Sequence, residues 1–332
     1  AAIDGLADEL LDDDASTSDL IEVLRRARDG GGSALRLLGL DVEALEETDE
    51  LSTRYRLHDE LGKGGMGEVR RAFDRRIRRE VALKRLKAGP TTELMIGRFL
   101  QEAQVTGQLE HPHIVPVYDI GVGPQASVFF TMKRVQGEPL DVLVKAGRFS
   151  RLERLDIFKK VCDAVSYAHA RGVVHRDLKP ANIMITSVAG ERVVKTLDFG
   201  IVRTQGSSLT GNSTSIGTPA FMSPEQCTGS DMDGRSDLYS LGVILYMLVS
   251  CSLPFSDDNP LTLMFQQVSG VPPPLRTRAR VELSEQFISI VMKTLRKQRD
   301  DRHASAEEMR RQLEACKDAL RNLGTRRDKV LV

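Results

Sequence analysis

After a first stretch of weak helical periodicity, strand-type patterns crowd together from Tyr55 and helix-type patterns dominate from Leu140. Regular alternation of strand and helix would build a parallel sheet. Segregation of this kind points instead to an α+β fold or to separate domains. Tyr55, Leu57 and Leu61 alternate as in a half-buried strand, and a glycine cluster follows. Further strands are expected near Val69, at Val81–Lys84, at Val115–Ile120 and at Val128–Met132. One helix interrupts them, from Thr92 to Leu109, with Met95, Phe99, Ala103 and Thr106 on one face. From Leu140 helices dominate. Ser150 with Glu153 matches a capping box, followed by Leu152, Leu155, Phe158, Val161 and Val165 at helical spacing up to Gly172. Residues 236–250 are apolar on nearly every side, which marks a buried central helix. Ser305 with Glu308 reads as another capping box.

At 332 residues the chain suits one large two-lobed unit or two domains. Its 41% apolar and 28% charged residues exclude wholesale disorder. Lys and Arg together equal Asp and Glu, at 47 each, so general coating of nucleic acid is not expected. The balance is uneven along the chain. Residues 1–50 carry 15 acidic and 4 basic residues, a net of −11, which leaves +11 for the rest. Attraction between the two parts would be screened by salt, and a solvated acidic tail is the simpler expectation. The longest apolar run, Leu241–Val249, is far short of the roughly 20 residues that span a bilayer. No signal-peptide pattern is visible, and a start at Ala1 rather than Met is compatible with an upstream piece. Cys162, Cys227, Cys251 and Cys316 show no metal-ligand spacing and read as reduced, mostly buried thiols in a cytoplasmic protein.

Four motifs carry chemistry. Gly62-Lys63-Gly64-Gly65-Met66-Gly67-Glu68-Val69 has the spacing G-x-G-x-x-G-x-V between two strands, where glycines let backbone approach a phosphate chain. Dinucleotide-binding loops share part of this spacing, but a helix follows theirs and a strand follows here. Lys84 shares a strand face with Ala82 and needs a charged partner, for which Glu102 on the following helix is the candidate. The third motif is His175-Arg176-Asp177-Leu178-Lys179-Pro180-Ala181-Asn182, and the fourth Asp198-Phe199-Gly200.

In this order the four resemble the eukaryotic-type (Hanks-type) protein kinases, and the Gly-Gly-Met-Gly-Glu-Val loop is similar to that of the bacterial Ser/Thr kinases. The resemblance implies a bilobal α+β fold, with a small antiparallel-sheet lobe carrying one main helix and a larger, mostly helical lobe. It implies residues 1–50 as an acidic extension, mobile or partly helical, 55–316 as the kinase domain (55–135 and 136–316), and 317–332 as a tail. By resemblance, Lys84 grips the α- and β-phosphates of ATP and Glu102 holds Lys84. Asn182 and Asp198 would coordinate Mg²⁺, Asp177 would accept the substrate proton, and Lys179 would neutralise the γ-phosphate. Gly62, Gly64 and Gly67 would cover the phosphates. Leu61, Val69, Ala82 and Met184 would contact adenine, with Met132 as gatekeeper and Val135 at the hinge. Asp177-Leu178-Lys179 and Thr218, similar to the threonine that bridges Asp177 and Lys179, imply Ser/Thr proteins as substrates. Arg302 is the implied buried partner of Glu225, and Asp237 the implied anchor of the catalytic loop.

Departures from the family pattern are Arg70, Phe221, Ser223 and Tyr239, none of which replaces a catalytic atom. A pseudokinase that keeps the fold without turnover, or a small-molecule kinase, are the rival readings. The first usually loses residues such as Lys84, Asp177 or Asp198, and the second lacks the segment ending in Ser223-Pro224-Glu225. Between Asp198 and Glu225 the chain is rich in hydroxyls. Thr210, Ser213 and Thr214 are the expected sites of activating autophosphorylation, between two molecules in a transient homodimer, with Arg176 receiving the phosphate. No nucleic acid partner and no membrane segment are expected.

Overall fold

The computed structural model describes residues 50–64, 67–86, 93–123, 127–199, 219–278 and 283–316. Residues 1–49, the segment 200–218 with Thr210, Ser213, Thr214 and Thr218, and residues 317–332 lie outside them. The chain divides into two compact units, Ala1–Glu110 with Pro116–Val135, and His111–Val115 with Gln136–Val332.

The first unit is a five-stranded antiparallel sheet in the order β1-β2-β3-β5-β4. Its strands are β1 (Tyr55–Lys63), β2 (Gly67–Asp74), β3 (Arg79–Leu86), β4 (Val117–Gly123) and β5 (Ser127–Lys133). A short helix, α1 (Glu50–Arg54), precedes β1 without any periodic signal of its own. Ion pairs tie it to the sheet: Arg54 donates to Asp74 at 3.0 Å and to Asp119 at 2.5 Å. Helix α2 (Glu93–Gly107) buries Ile96, Phe99, Leu100 and Ala103. Phe99 meets Phe130 of β5 with ring centroids 5.0 Å apart.

The second unit is mostly helical. Its main elements are α3 (Leu140–Lys145), α4 (Arg151–His169), α5 (Pro224–Thr228), α6 (Gly234–Ser250), α7 (Pro260–Ser269), α8 (Leu275–Arg278), α9 (Glu285–Thr294) and α10 (Ala306–Ala315). Ser150 caps α4 through a complete capping box with Glu153. The box expected at Ser305 closes differently. Ser305 accepts from the Glu308 amide, but Glu308 reaches back to the amide of Ala304. Helix α6 is buried from Leu238 through Tyr246 and forms the centre of the core with α4, α9 and α10. It approaches α9 closely because Gly242 has no side chain: a Cβ there would sit 2.1 Å from the Thr294 hydroxyl. Among the described residues no helix is long and apolar enough to cross a membrane.

Three further strands, β6 (Glu138–Pro139), β7 (Ile183–Val188) and β8 (Glu191–Thr196), form a small antiparallel sheet in this unit. The helical texture of the second half hides them. His111–Val115 also belongs here, because the Val115 amide donates to Thr196 at 3.1 Å and the Thr196 amide to His113 at 2.8 Å.

Lys297 is half-buried beneath α7. Its ammonium donates to Tyr239 Oη at 3.2 Å and to the carbonyls of Gln266 and Gln267 at 3.2 and 2.7 Å. Burial pushes its pKa down, and neighbouring Arg302 adds to this, from the ordinary 10.5 to about 8. Unfolding therefore takes up a proton between these two values, so the stability contributed by this group is lowest below pH 8 and rises with pH. We expect the melting temperature of the parent, relative to Lys297→Met, to rise by roughly 3 °C between pH 7 and pH 9.5. A pH-independent difference in thermal melts would contradict the assignment.

Candidate active site

In the sheet unit, register brings the predicted residues to one face. Val69 pairs with Lys84, Ala82 with Met132, and Lys84 with Phe130, and directly paired residues share a face. Lys84 Nζ lies 2.6 Å from Glu102 Oε1, with both side chains largely buried. The pair forms because strand alternation turns Lys84 inward while the 3.6-residue period of α2 brings Glu102 round to meet it. Leu61 falls at a register shift between Glu60 and Gly62, and is 46% exposed. Val135 ends this unit and is half-buried.

The glycines of the loop differ in what requires them. A Cβ on Gly67 would lie 2.4 Å from the Arg85 carbonyl, so strand packing alone demands glycine there. Gly62 meets nothing within 4 Å and Gly64 nothing nearer than 3.8 Å. Packing among the described residues does not explain those two.

In the helical unit, the loop between α4 and β7 carries Asp177. Leu178 and Pro180 are buried and pin the loop from below. Lys179 Nζ donates to Asp177 Oδ2 at 2.8 Å. Asn182 Nδ2 donates to the Asp177 carbonyl at 2.9 Å and to Oδ2 at 3.2 Å. Oδ1 meets no donor among the described residues, and the side chain is 46% exposed. One oxygen is thus held and the other presented. Met184 stands on β7 opposite Lys195 and is half-buried.

Asp237, buried at the start of α6, fixes the loop's backbone. Its carboxylate accepts from the amides of His175 and Arg176, both at 2.8 Å, and from His169 Nε2 at 2.7 Å. Burial alone would raise the Asp237 pKa; the His169 hydrogen bond and nearby imidazoles more than offset it and hold the group below its ordinary value. These bonds stabilise an unusual backbone at Arg176, whose φ of 63° is left-handed and costly for a residue with a side chain; Asp198, with φ of 46°, is left-handed as well. His175 completes the link, its Nε2 3.0 Å from the Leu197 carbonyl and its ring 4.6 Å from that of buried Phe199.

Farther along, Glu225 and Arg302 form the expected buried pair, with Nη1 to Oε1 and Nη2 to Oε2 both at 2.8 Å. Burial would raise the Glu225 pKa, but Arg302 and the Ser236 hydroxyl hold it down. Three contacts were not evident from the residues alone: His169 on Asp237, Ser236 on Glu225, and Gln226 Nε2 on the Arg176 carbonyl at 2.5 Å. Only the last has a readable signal, the S-x-x-Q spacing of Ser223 and Gln226, which forms a complete capping box.

The model of the protein kinase domain family matches residues 55–313. The chain belongs to the protein kinase family. Among similar kinases, a probable serine/threonine-protein kinase of Streptomyces coelicolor is 40% identical over 282 residues, covering 82% of this chain and 41% of that protein. Serine/threonine-protein kinase PknB of Mycolicibacterium smegmatis is 39% identical over 274 residues, 79% of this chain and 43% of that protein. Serine/threonine-protein kinase pkn3 of Myxococcus xanthus is 37% identical over 283 residues, 81% of this chain and 52% of that protein. This kinase chain therefore spans about half, or less, of the length of these relatives. Among solved structures, the kinase domain of Mycobacterium tuberculosis PknI aligns with a TM-score of 0.60 at 28% identity, over 79% of this chain and 95% of that one. The bilobal α+β kinase fold follows from these likenesses and from the sheet and helical units described above.

Proposed function

We propose that the chain is a protein serine/threonine kinase that transfers the γ-phosphoryl group of ATP, with Mg²⁺, to Ser and Thr hydroxyls of proteins. The observation that carries this reading is the half-exposed Asp177 carboxylate, with Oδ2 held by Lys179 and Asn182 and Oδ1 presented. As the hydroxyl oxygen bonds to the γ-phosphorus, the bond to the bridging oxygen of ADP breaks, and the hydroxyl proton passes to Asp177. Lys179 offsets charge on the moving group, with Thr218 as bridging residue. Lys84, steadied by Glu102, holds the α- and β-phosphates. Gly62, with open space where a Cβ would stand, and Gly64, where a Cβ would meet only the Gly67 carbonyl oxygen at 3.8 Å, suit backbone that approaches those phosphates. Val69, Ala82, Met132, Val135, Leu61 and Met184 are the proposed adenine contacts.

The donor set suits a magnesium ion. Asn182 turns its amide nitrogen to Asp177, which leaves the amide oxygen as a hard ligand, and its backbone carbonyl accepts from the amide of Leu197, the residue before Asp198, at 2.8 Å. Among the described residues there is no cage of three His, Cys, Asp or Glu side chains, and two protein oxygens match an ion that draws other ligands from water and phosphate. When bound, the ion would neutralise charge on the phosphates.

The similar proteins are named serine/threonine-protein kinases, which supports the substrate class. All four cysteines are free, in keeping with a reducing, cytoplasmic setting. Incubation with Mg-ATP and myelin basic protein should place phosphate on Ser and Thr, read by mass spectrometry; absence of phosphate on either residue type would remove the reading.

Activation is proposed to follow phosphorylation of Thr210, Ser213 or Thr214 by a second copy in a transient homodimer. Arg176, whose backbone is clamped by Asp237 and Gln226, is the proposed phosphate partner. Phosphatase-treated protein should start slowly and accelerate as these residues are modified, faster at higher protein concentration. Full initial activity with no phosphate between residues 204 and 215 would exclude this switch.

A further inference from the structure

The strip that follows residues 200–218 is held by side chains from two helices. The carbonyls of Pro219 and Ala220 accept from Gln267 Nε2 of α7, at 3.1 and 2.7 Å. The carbonyl of Phe221 accepts from the Ser240 hydroxyl of α6 at 2.7 Å. Five residues beyond this strip, Gln226 of α5 donates to the carbonyl of Arg176, the residue before Asp177, so the segment is tied to the catalytic loop at its far end. The 219–221 backbone is therefore set by Gln267 and Ser240, a few residues before the bond to the catalytic loop.

Gln267 is fully buried, and its amide has a single satisfied orientation. Two carbonyls require the nitrogen on the strip side, and the Tyr239 hydroxyl, donating at 2.7 Å, fills the oxygen. Lys297 donates in turn to the Tyr239 oxygen. The relay runs from Lys297 through Tyr239 and Gln267 to two consecutive carbonyls, with each polar group of the glutamine used. Phe255 and Leu263 pack with Ala220 in the same region, so an apolar side chain at 267 would find apolar company. A buried amide in such surroundings is costly unless its bonds are needed, and these bonds fix a strip of backbone.

We infer that Gln267 is a positioning residue for the protein substrate: it sets the 219–221 backbone against which the chain bearing the acceptor hydroxyl lies, and plays no part in holding ATP. The inference rests on the kinase reading above. Tyr239 acts through Gln267 by fixing which end of the amide faces the strip.

The test compares the parent with Gln267→Met, close in shape but without a donor, and with Tyr239→Phe, which removes only the hydroxyl. The KM for myelin basic protein should rise about five- to ten-fold in Gln267→Met and less in Tyr239→Phe, while the KM for ATP stays at the parent value. The double variant should match Gln267→Met, because the two side chains act in series. Amide exchange should quicken at Met222, whose N–H bonds to the Pro219 carbonyl at 3.2 Å. An unchanged KM for the protein substrate, equal rises for protein and ATP, or unchanged Met222 protection would overturn the inference. If Gln267→Met fails to fold, Tyr239→Phe decides by the same readouts. A parent that transfers no phosphate brings down the kinase reading and this inference together; a parent that transfers, with variants that match it, brings down this inference alone.

Discussion

Asp177→Asn should lower phosphoryl transfer by about 10²- to 10⁴-fold while nucleotide binding stays near the parent value. The reason lies in the bonds to Oδ2. Lys179 and Asn182 both donate to that oxygen, so an asparagine would keep its carbonyl there and turn its NH₂ to the presented side. The group facing the acceptor hydroxyl would then be a donor instead of a proton acceptor. Single-turnover transfer and binding of a fluorescent ATP analogue, measured on the same preparation, separate the two effects. Lys84→Met should show a different split. It removes the cation proposed for the phosphates and leaves Glu102 largely buried without the partner 2.6 Å away, so transfer falls and nucleotide affinity weakens with it. Turnover near the parent level in Asp177→Asn would show that this carboxylate is not the proton acceptor.

Arg302→Leu should destabilise the helical unit by about 3–5 kcal/mol, roughly 10 °C in melting temperature. The arginine does more than pair with Glu225. It also donates to the carbonyls of Arg235, Arg296 and Lys297, and lies over the Tyr239 ring. Its removal leaves a buried carboxylate without its counter-charge, held by the Ser236 hydroxyl and a backbone amide, together with three carbonyls short of a donor. Replacing both partners, as in Glu225→Leu with Arg302→Met, should recover part of the loss, because no uncompensated charge is then buried. If the double variant melts no higher than Arg302→Leu, the carbonyl bonds and not the ion pair dominate. Thermal unfolding at neutral pH reads both results. The sign with pH follows from the lowered Glu225 pKa: the pair's contribution is full above the ordinary carboxylate range and fades as pH falls through the folded-state value.

The motifs of this family chain were legible because each is local. The glycine loop, the Asp177–Asn182 run and the Ser150 capping box have their meaning within eight residues or fewer, where spacing alone fixes which groups can meet. The Lys84–Glu102 pair was also readable, since strand and helix periods each name one inward face. The β6–β8 sheet was not. Its strands are short and lie among strong helical patterns, and pairing partners such as Pro139 and Met184 are 45 positions apart. Helix α1 had no pattern at all; its ion pairs to Asp74 and Asp119 hold it.

By itself the sequence determined the family, the division into a strand-rich and a helix-rich part, and the candidate residues for the chemistry, because side-chain type and short-range period are properties of the chain. Tertiary structure decided what those residues face. Asp237 reaches two amides more than 60 positions away, Gln267 takes two carbonyls 47 and 48 positions away, and His111–Val115 joins the helical unit through Thr196. A carbonyl or an amide has the same identity at every residue, so no pattern of side chains announces which one a distant glutamine or aspartate will bind. Only the packed backbone, closing loops of that length, chooses among them.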